Sequence, residues 1–405
     1  MNTSATPGSI VLTEVGSKAV VLALDDHQVA ALRAADLVTV SPAVDGRWKI
    51  KAGRKVGAIR VGNLEVEVTP KVGLANLLFF LGYAANPGFR PEDVAGVPTA
   101  GLWPALATSL IRHTRRALAS GPLHGYATVE DALPLVRGRI RFGDHAAARP
   151  GVQLPIEVRY DDYSNDIPEN RLLRTAVQRM LTVPRLREAD QSDLIELDAR
   201  LAGVRVLPQG APLPVWRPSR LNARYAPALR LSELILRHCS ADPGAGRYAI
   251  AAFVVNMEKV FEAFIGVALR EALSSYGGHT ETPGKWPLDV GQSIRIEPDV
   301  LHLVDGRPVA VFDAKYKIEP RAAKPTNPDV YQMLAYCTAL NLRSGWILYA
   351  QGTEPPTTWR IRNTDTTIGY RPLNLRQPPE QLLNDVNLLA GLAMHEAAVP
   401  LQHPA

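Results

Sequence analysis

Two acidic residues and a lysine in the C-terminal third are placed where they could hydrolyse a phosphodiester. Asp299 precedes one apolar run, Asp313 and Lys315 end a second, and Asp305-Gly306 between the runs is a two-residue turn signal. If the runs pair as a hairpin, both carboxylates lie at one end, and Asp313 and Lys315 face the same side. Two carboxylates can hold Mg²⁺, and a lysine can stabilise negative charge developing on a phosphate.

A simpler interpretation of the same segment is a surface hairpin with an Asp-Gly turn and a cross-strand Asp/Lys pair. Pro308 also weakens the hairpin, because proline removes a ladder donor and belongs at a strand edge or strand start.

Helical segments on either side supply further candidates. Upstream, Glu258 and Glu262 lie one turn apart at the edge of an apolar stripe that continues to Leu273. We expect Glu258 on a solvated face and Glu262 directed towards the metal. Downstream, Gln332 and Tyr336 have i, i+4 spacing, where the amide and phenol could orient DNA or the lysine; a buried core tyrosine is the alternative for Tyr336.

Alternating arginines in the middle of the chain are candidates for nucleic-acid binding. Arg137, Arg139 and Arg141 alternate with Gly138 and Ile140, so on a strand all three guanidiniums would face one way. Such a row suits a phosphate backbone, although a solvated strand face explains it equally well.

Composition limits the remaining possibilities. The 405 residues carry a net charge of +5, are 46% hydrophobic and 21% charged, and indicate two or three domains. The sequence has no apolar run of the ~20 residues that span a bilayer, no secretory signal, no zinc-ligand spacing and no Walker-type loop. Its two cysteines favour a reducing cytoplasm. We expect a cytoplasmic protein that does not hydrolyse nucleotide by itself.

Three domains are predicted. Residues 1–85 read as a β-rich N-terminal domain with the alternating strand Leu64–Thr69, residues 86–242 as a mainly helical central region, and residues 243–405 as the catalytic domain with a C-terminal tail. The Pro/Gly-rich stretch at 242–246 marks the second boundary.

The catalytic residues resemble the PD-(D/E)xK nuclease signature, with Pro298-Asp299 and Asp313-Ala314-Lys315 as its two halves. The whole chain further resembles the McrC family, the nuclease subunits of McrBC-type modification-dependent restriction systems. The segments that carry this resemblance follow in order along the chain: residues 56–62, 68–71, 137–140, 164–173, 222–228 and 256–264, then Asp299, Asp313 to Lys315, and Gln332.

The resemblance implies an α/β multidomain protein with a C-terminal αβββαβ nuclease core. It implies catalysis by Asp299, Asp313, Lys315, Glu262 and Gln332 with Mg²⁺ as cofactor. The implied partners are double-stranded DNA and a hexameric McrB-like AAA+ GTPase or ATPase, whose hydrolysis the N-terminal part would stimulate. Residues that trigger this hydrolysis have no sharp motif, and Arg54, Lys55 and Arg60 are candidates by charge alone.

Two other functions remain open at this point. The chain could be a non-catalytic activator that docks on the ring, although an intact Asp, Asp, Lys set argues against a decayed site. It could also be a stand-alone endonuclease of the same fold, such as a repair enzyme, which would leave the large N-terminal region without a purpose.

Overall fold

The computed structural model describes residues 8–90, 101–148, 150–151, 153–242, 250–317, 326–350 and 355–398. The chain divides into two compact units, of which unit 1 comprises residues 1–102 and 238–405 and unit 2 comprises residues 103–237. This division differs from the three predicted domains, because strands from the N-terminal and C-terminal segments share a sheet. Residues 243–249, which include most of the predicted boundary loop, lie outside the described residues.

The strands of unit 1 are β1 (Ser9–Thr13), β2 (Val20–Leu22), β3 (Val38–Pro42), β4 (Trp48–Ala52), β5 (Lys55–Val61), β6 (Leu64–Thr69), β10 (Cys239–Asp242), β11 (Ile250–Asn256), β12 (His279–Glu281), β13 (Trp286–Pro287), β14 (Arg295–Ile296), β15 (Val300–Val304), β16 (Arg307–Lys315), β17 (Ser344–Tyr349), β18 (Thr357–Arg360) and β19 (Thr367–Pro372). Its helices are α1 (Asp26–Ala35), α2 (Leu74–Ala85), α8 (Met257–Leu273), α9 (Asn327–Leu340) and α10 (Pro379–Ala398).

A five-stranded sheet with the order β1-β6-β5-β11-β10 joins the two segments of unit 1. The central pair is β5 with β11, which run antiparallel from Lys55 opposite Asn256 to Val61 opposite Ile250. Gly57 is required in this pair, because its φ is +135° and a Cβ there would lie 1.8 Å from the carbonyl oxygen of Phe253. A separate three-stranded sheet, β2-β4-β3, also belongs to the N-terminal segment.

The predicted hairpin is present as β15 and β16 in a six-stranded sheet with the order β12-β15-β16-β17-β19-β18. Asp305 and Gly306 both have positive φ, 51° and 73°, as a type I′ turn requires. The register shifts between His302 and Leu303, and Pro308 is the partner of Leu303 after the shift. This bulge accommodates the proline within the strand.

Helices cover the six-stranded sheet. Val311 on β16, Ile347 and Tyr349 on β17 and Met333 and Tyr336 on α9 belong to one buried apolar cluster, so α9 packs on the sheet face to which Val311 points. Asp313 and Lys315 follow Val311 at intervals of two and therefore point to this same face. Helices α8 and α10 contact each other and β16.

The segment after residue 355, which no sequence motif anchors, completes this part of unit 1. Strand β19 runs parallel to β17 and pairs with β18, and α10 packs against α8, β16 and β17. The described tail is therefore an integral part of the fold that carries the candidate site.

Unit 2 combines helices with one small sheet. Helix α3 (Leu102–Ala117) begins at the unit boundary, and α4 (Phe142–Ala148), α5 (Pro168–Leu181), α6 (Glu188–Arg200) and α7 (Ala226–His238) follow. The strands β7 (Gly125–Leu133), β8 (Arg139–Ile140) and β9 (Ile156–Ser164) form an antiparallel sheet with the order β7-β9-β8.

Polar residues from the motifs of the central region hold unit 2 together. Asp166 accepts hydrogen bonds from the guanidinium of Arg171 at 2.7 and 2.9 Å and from that of Arg205 at 2.7 Å. The buried Asn170 donates to the carbonyls of Leu123 and Asn165. These residues therefore have a structural role inside the unit.

None of the helices in the described part of the chain has the length and apolar character that a membrane span requires.

Candidate active site

The two predicted acids lie at the open end of the β15–β16 hairpin. Val300 is paired with Phe312, so the same register continued by one residue places Asp299 opposite Asp313. The Oδ2 of Asp299 accepts a hydrogen bond of 2.7 Å from the backbone N–H of Ala314, which ties this carboxylate to the neighbouring strand. Asp313 is 3% exposed and Asp299 is half-buried. The hairpin brings both acids together, as the sequence predicts.

Lys315 lies beside these acids. Its Nζ is 2.6 Å from the Oδ2 of Asp313, and 20% of the lysine side chain is exposed. Burial lowers the pKa of Lys315, but the Asp313 carboxylate outweighs burial and raises the pKa above its ordinary value. The lysine is therefore an ammonium that is held at the edge of the site.

Three carboxyl groups in this site have raised pKa values. Burial raises the pKa of Asp313 to about 6; Lys315 opposes the shift and Asp299 adds to it. Burial also raises the pKa of Asp299, to which Glu262 contributes as a like charge. The pKa of Glu262 is raised by burial and then by the charge of Glu258. Glu262 thus interacts electrostatically with both aspartates, and its orientation towards a metal stays a prediction.

Glu258 fits its predicted solvated position. Nearly half of its side chain is exposed, and its Oε2 lies 4.0 Å from the guanidinium of Arg54. Its backbone N–H donates to the side chain of Asn256, the N-cap of α8.

The hydrogen bond between Gln332 and Tyr336 reflects their i, i+4 spacing. The Nε2 of Gln332 donates to the hydroxyl of Tyr336 at 2.7 Å, and this hydroxyl donates to the carbonyl of Glu297 at 3.3 Å. Tyr336 is 4% exposed and belongs to the apolar cluster under α9, so its ring is not available to stack on a nucleotide. Burial raises its pKa. This placement favours the core interpretation and makes Gln332 a residue that positions the tyrosine.

Asp329 is a residue of this region that the sequence reasoning missed. It lies in the first turn of α9, is 6% exposed, and its Oδ2 is 2.6 Å from the Nζ of Lys317. Tyr349 and Thr326 also donate to this oxygen. Burial opposes its ionisation, but the hydrogen bonds from Lys317 and Tyr349 outweigh burial and lower its pKa. The Thr326-x-x-Asp329 capping-box spacing could have revealed the residue.

A second missed residue connects the five-stranded sheet to the end of β16. Glu14, which follows β1, is fully buried, and its Oε1 accepts hydrogen bonds from the backbone N–H of Lys71 at 2.6 Å and from the hydroxyl of Tyr316 at 2.7 Å. Tyr316 directly follows Lys315, and its ring lies 6.0 Å from that of Phe261 on α8. Burial raises the pKa of Glu14.

The predicted arginine row does not form a strand face. Only Arg139 and Ile140 are in β8, and Gly138 has a φ of +70°, which breaks the alternation before it. Arg137 donates to Asp162 at 2.7 Å, and Arg141 pairs with Glu130 at 3.0 Å. The three arginines therefore do not alternate along one strand, although Arg139 and Arg141 line the same cavity. Their role in binding nucleic acid stays a prediction, to which the exposed Arg139 is best suited.

The basic residues suggested as triggers of partner hydrolysis differ in accessibility. Arg60 is buried and lies 3.0 Å from Glu65, and Lys55 pairs with Asp36. Arg54 has 83% of its side chain exposed. Accessibility therefore leaves Arg54 as the most suitable of the three.

The donor atoms at the hairpin end fit a hard divalent cation. The Oδ2 of Asp299 accepts from the backbone N–H of Ala314, and the Oδ2 of Asp313 pairs with Lys315. Each carboxylate therefore keeps its Oδ1 for a metal. Among the described residues, no group of three or more His, Cys, Asp or Glu side chains is arranged to hold a metal ion. Mg²⁺ is compatible with this arrangement, because it is commonly bound by one or two carboxylates and keeps several of its waters.

Comparison with known proteins places this site in a family. The chain matches the model of a family described as "McrBC 5-methylcytosine restriction system component" over residues 50–350, well over half of its length. The chain belongs to this family. The match extends from β4 to the end of β17 and thus includes every site residue that the sequence of this McrBC-family chain predicts. It confirms the family that the sequence predicts.

Solved structures resemble this McrBC-family chain at low sequence identity. A chain in a refined half-complex from a tetradecameric assembly of Thermococcus gammatolerans McrB AAA+ hexamers with bound McrC is 17% identical, with a TM-score of 0.59. The alignment covers 95% of this chain and all of that chain, so the two share a fold. A chain in a cryo-EM structure of the T. gammatolerans McrBC complex is 19% identical over 67% of this chain and 89% of its own length, with a TM-score of 0.38. No curated protein matches.

Proposed function

We propose that the chain is an McrC-like DNA endonuclease subunit that docks on an AAA+ McrB-like motor, stimulates its nucleotide hydrolysis and cleaves modified foreign DNA with Mg²⁺. The observation that carries the proposal is the convergence of Asp299, Asp313 and Lys315 at the open end of one hairpin. The elements α8, β12, β15, β16, α9 and β17 follow the αβββαβ order of a PD-(D/E)xK core, which supports this assignment.

Each residue would have a distinct part in hydrolysis. Asp299 and Asp313 would hold Mg²⁺ through their Oδ1 atoms, and Glu262 would orient waters of its shell. When bound, the ion supplies a water of lowered pKa and shields the charge of the phosphate. The Lys315 ammonium would stabilise the negative charge that develops on phosphorus-bound oxygens. Gln332 and Tyr336 would hold the backbone at Glu297, two residues before Asp299.

Docking on a motor is supported by the family and by the shared fold. The similar chain comes from an assembly of McrB AAA+ hexamers with bound McrC, and the alignment includes nearly all of the chain described here. The absence of a Walker-type loop from the sequence supports a division of labour in which the partner binds the nucleotide.

The test combines two measurements on the full chain with its AAA+ partner. Asp313→Ala should abolish Mg²⁺-dependent cleavage of methylated duplex DNA while leaving the stimulation of nucleotide hydrolysis intact. A variant that still cuts at the wild-type rate would remove the assignment. Stimulation without cleavage by the wild-type chain under several metals would instead favour the non-catalytic activator. Cleavage without partner or nucleotide would favour the stand-alone nuclease.

A further inference from the structure

A groove along α8 opens beside the candidate active site. It has a volume of about 510 Å³ and lies between α8, the segment after β12 and the residues before β15. Glu262 and Asp299 line one part of this α8 groove, and Lys259 and Arg270 line it on either side of Glu262 along the helix. The groove therefore reaches Asp299, one of the two residues proposed to hold the metal, and Glu262 beside it.

The floor of the α8 groove is made by small residues. Ala263 and Gly266 both line it. Gly266 is buried against Thr282, since a Cβ on it would lie 3.4 Å from that side chain, whereas Ala263 is exposed and lines the open part of the groove. Open space beside the reacting groups is what a nuclease needs for the strand that enters its site.

The two cations of the α8 groove are available for a ligand. Lys259 and Arg270 are exposed, and neither forms a salt bridge with another described residue. Arg270 donates to the hydroxyl of Thr282 at 3.1 Å, which orients the guanidinium across the groove. This bond leaves other N–H groups of the guanidinium to donate, since arginine has five.

The spacing of the cations suits a phosphodiester backbone. Glu262 lies three residues after Lys259 and eight before Arg270, distances of about 4.5 and 12 Å along the helix at ~1.5 Å per residue. Successive phosphates of one DNA strand advance by ~3.4 Å along the duplex axis. Along the helix axis, both cations are thus within a few phosphates of Glu262.

We propose that the α8 groove binds the backbone of the DNA strand that is cut, with Lys259 and Arg270 contacting phosphates on opposite sides of the scissile one. The inference rests on the proposed nuclease function and adds a substrate site to it. It places a DNA contact on α8 of unit 1, separate from the one predicted for the unit 2 arginines.

The test measures DNA binding by the full chain without divalent cations, so that no strand is cut. Lys259→Ala and Arg270→Ala should each weaken binding to a fluorescent duplex and reduce the slope of log K against log salt by about one. Ala263→Glu, at an exposed position on the groove floor, should weaken binding at least as much without disturbing the core. Arg307→Ala is the control, because it changes the net charge equally at the opposite end of the hairpin.

Cleavage by the same variants with the AAA+ partner and Mg²⁺ separates the two proposals. Raised KM with modest changes in kcat for the groove variants, and wild-type values for Arg307→Ala, would support the groove. If the groove variants bind and cut like Arg307→Ala while the wild type is active, the proposed DNA contact of the α8 groove is refuted and the nuclease assignment stands. A wild type that binds duplex through these cations but never cuts would retain the groove and refute the nuclease.

Discussion

Replacing Lys315 by methionine tests the central ion pair most directly. The substitution keeps most of the aliphatic stem and removes the ammonium that lies 2.6 Å from Asp313. Breaking a buried ion pair by removing one partner typically costs ~3–5 kcal/mol. Because a fifth of the lysine side chain is exposed, we expect a loss of about 3 kcal/mol, at the lower end of this range.

The expected loss of stability depends on pH. Lys315 lowers the pKa of Asp313, so its removal should raise a pKa that burial already places at about 6. At pH 5 the Asp313 carboxyl is largely protonated with or without the lysine, so the missing ammonium matters little. At pH 7 the wild type gains the ion pair, whereas the variant has only an unpaired buried carboxyl group, whether charged or still protonated. Thermal unfolding at the two pH values should therefore show the larger decrease in Tm at the higher pH.

The effect on catalysis should be distinguishable from the effect on stability. We expect Lys315→Met to slow cleavage at least ~100-fold, the scale of losing one electrostatic stabiliser. The double variant Asp313→Asn, Lys315→Met removes the buried charge and should recover much of the stability without recovering cleavage. If Lys315→Met cuts at the wild-type rate, or if its Tm is unchanged at both pH values, the reasoning about this pair is wrong.

Three further predictions concern pH and the strands around the site. Asp313 has a raised pKa of about 6 in the fold, so the free energy of unfolding should decrease as pH rises from 4 to 7, and urea unfolding measures this decrease. Asp313→Asn should flatten this pH dependence. Mg²⁺ binding should weaken below pH 6, which calorimetric titration measures. Tyr316→Phe leaves the buried Glu14 with one hydrogen-bond donor fewer and should lower the free energy of unfolding by about 1–3 kcal/mol, measured by urea unfolding. The decrease should be smaller in a Glu14→Gln background. Gly57→Ala would place a Cβ 1.8 Å from the carbonyl oxygen of Phe253 and should cost on the order of 3 kcal/mol, measured in the same way; wild-type stability would show that the backbone can move away.

The parts of the site that depend on local sequence could be predicted. An Asp-Gly turn between two apolar runs fixes the hairpin, and the two-residue spacing of Asp313 and Lys315 on one strand fixes their common face. The bulge beside Pro308 was not predicted, because proline indicates only that the ladder is interrupted and not how the register adjusts.

Long-range features could not be read in the same way. The pairing of β5 with β11 joins residues about two hundred positions apart, and the local sequence pattern of either strand does not indicate which strand it pairs with. The alternation of Arg137 and Arg141 with other residues is compatible with a strand. In the structure Gly138 has a positive φ, and the two arginines pair with Asp162 and Glu130. Asp329 carried a capping signal, yet its contact with Lys317 depends on how α9 meets the sheet.

The pairing of β5 with β11 bears on how the catalytic part could be prepared in isolation. A fragment that starts near residue 243 would lack both neighbours of β11, β5 and β10, and would expose both edges of this apolar strand with their unsatisfied N–H and C=O groups. It would also lack Glu14 beneath Tyr316. Such a truncation is expected to aggregate, whereas replacing residues 103–237 by a linker would retain every strand of that shared sheet.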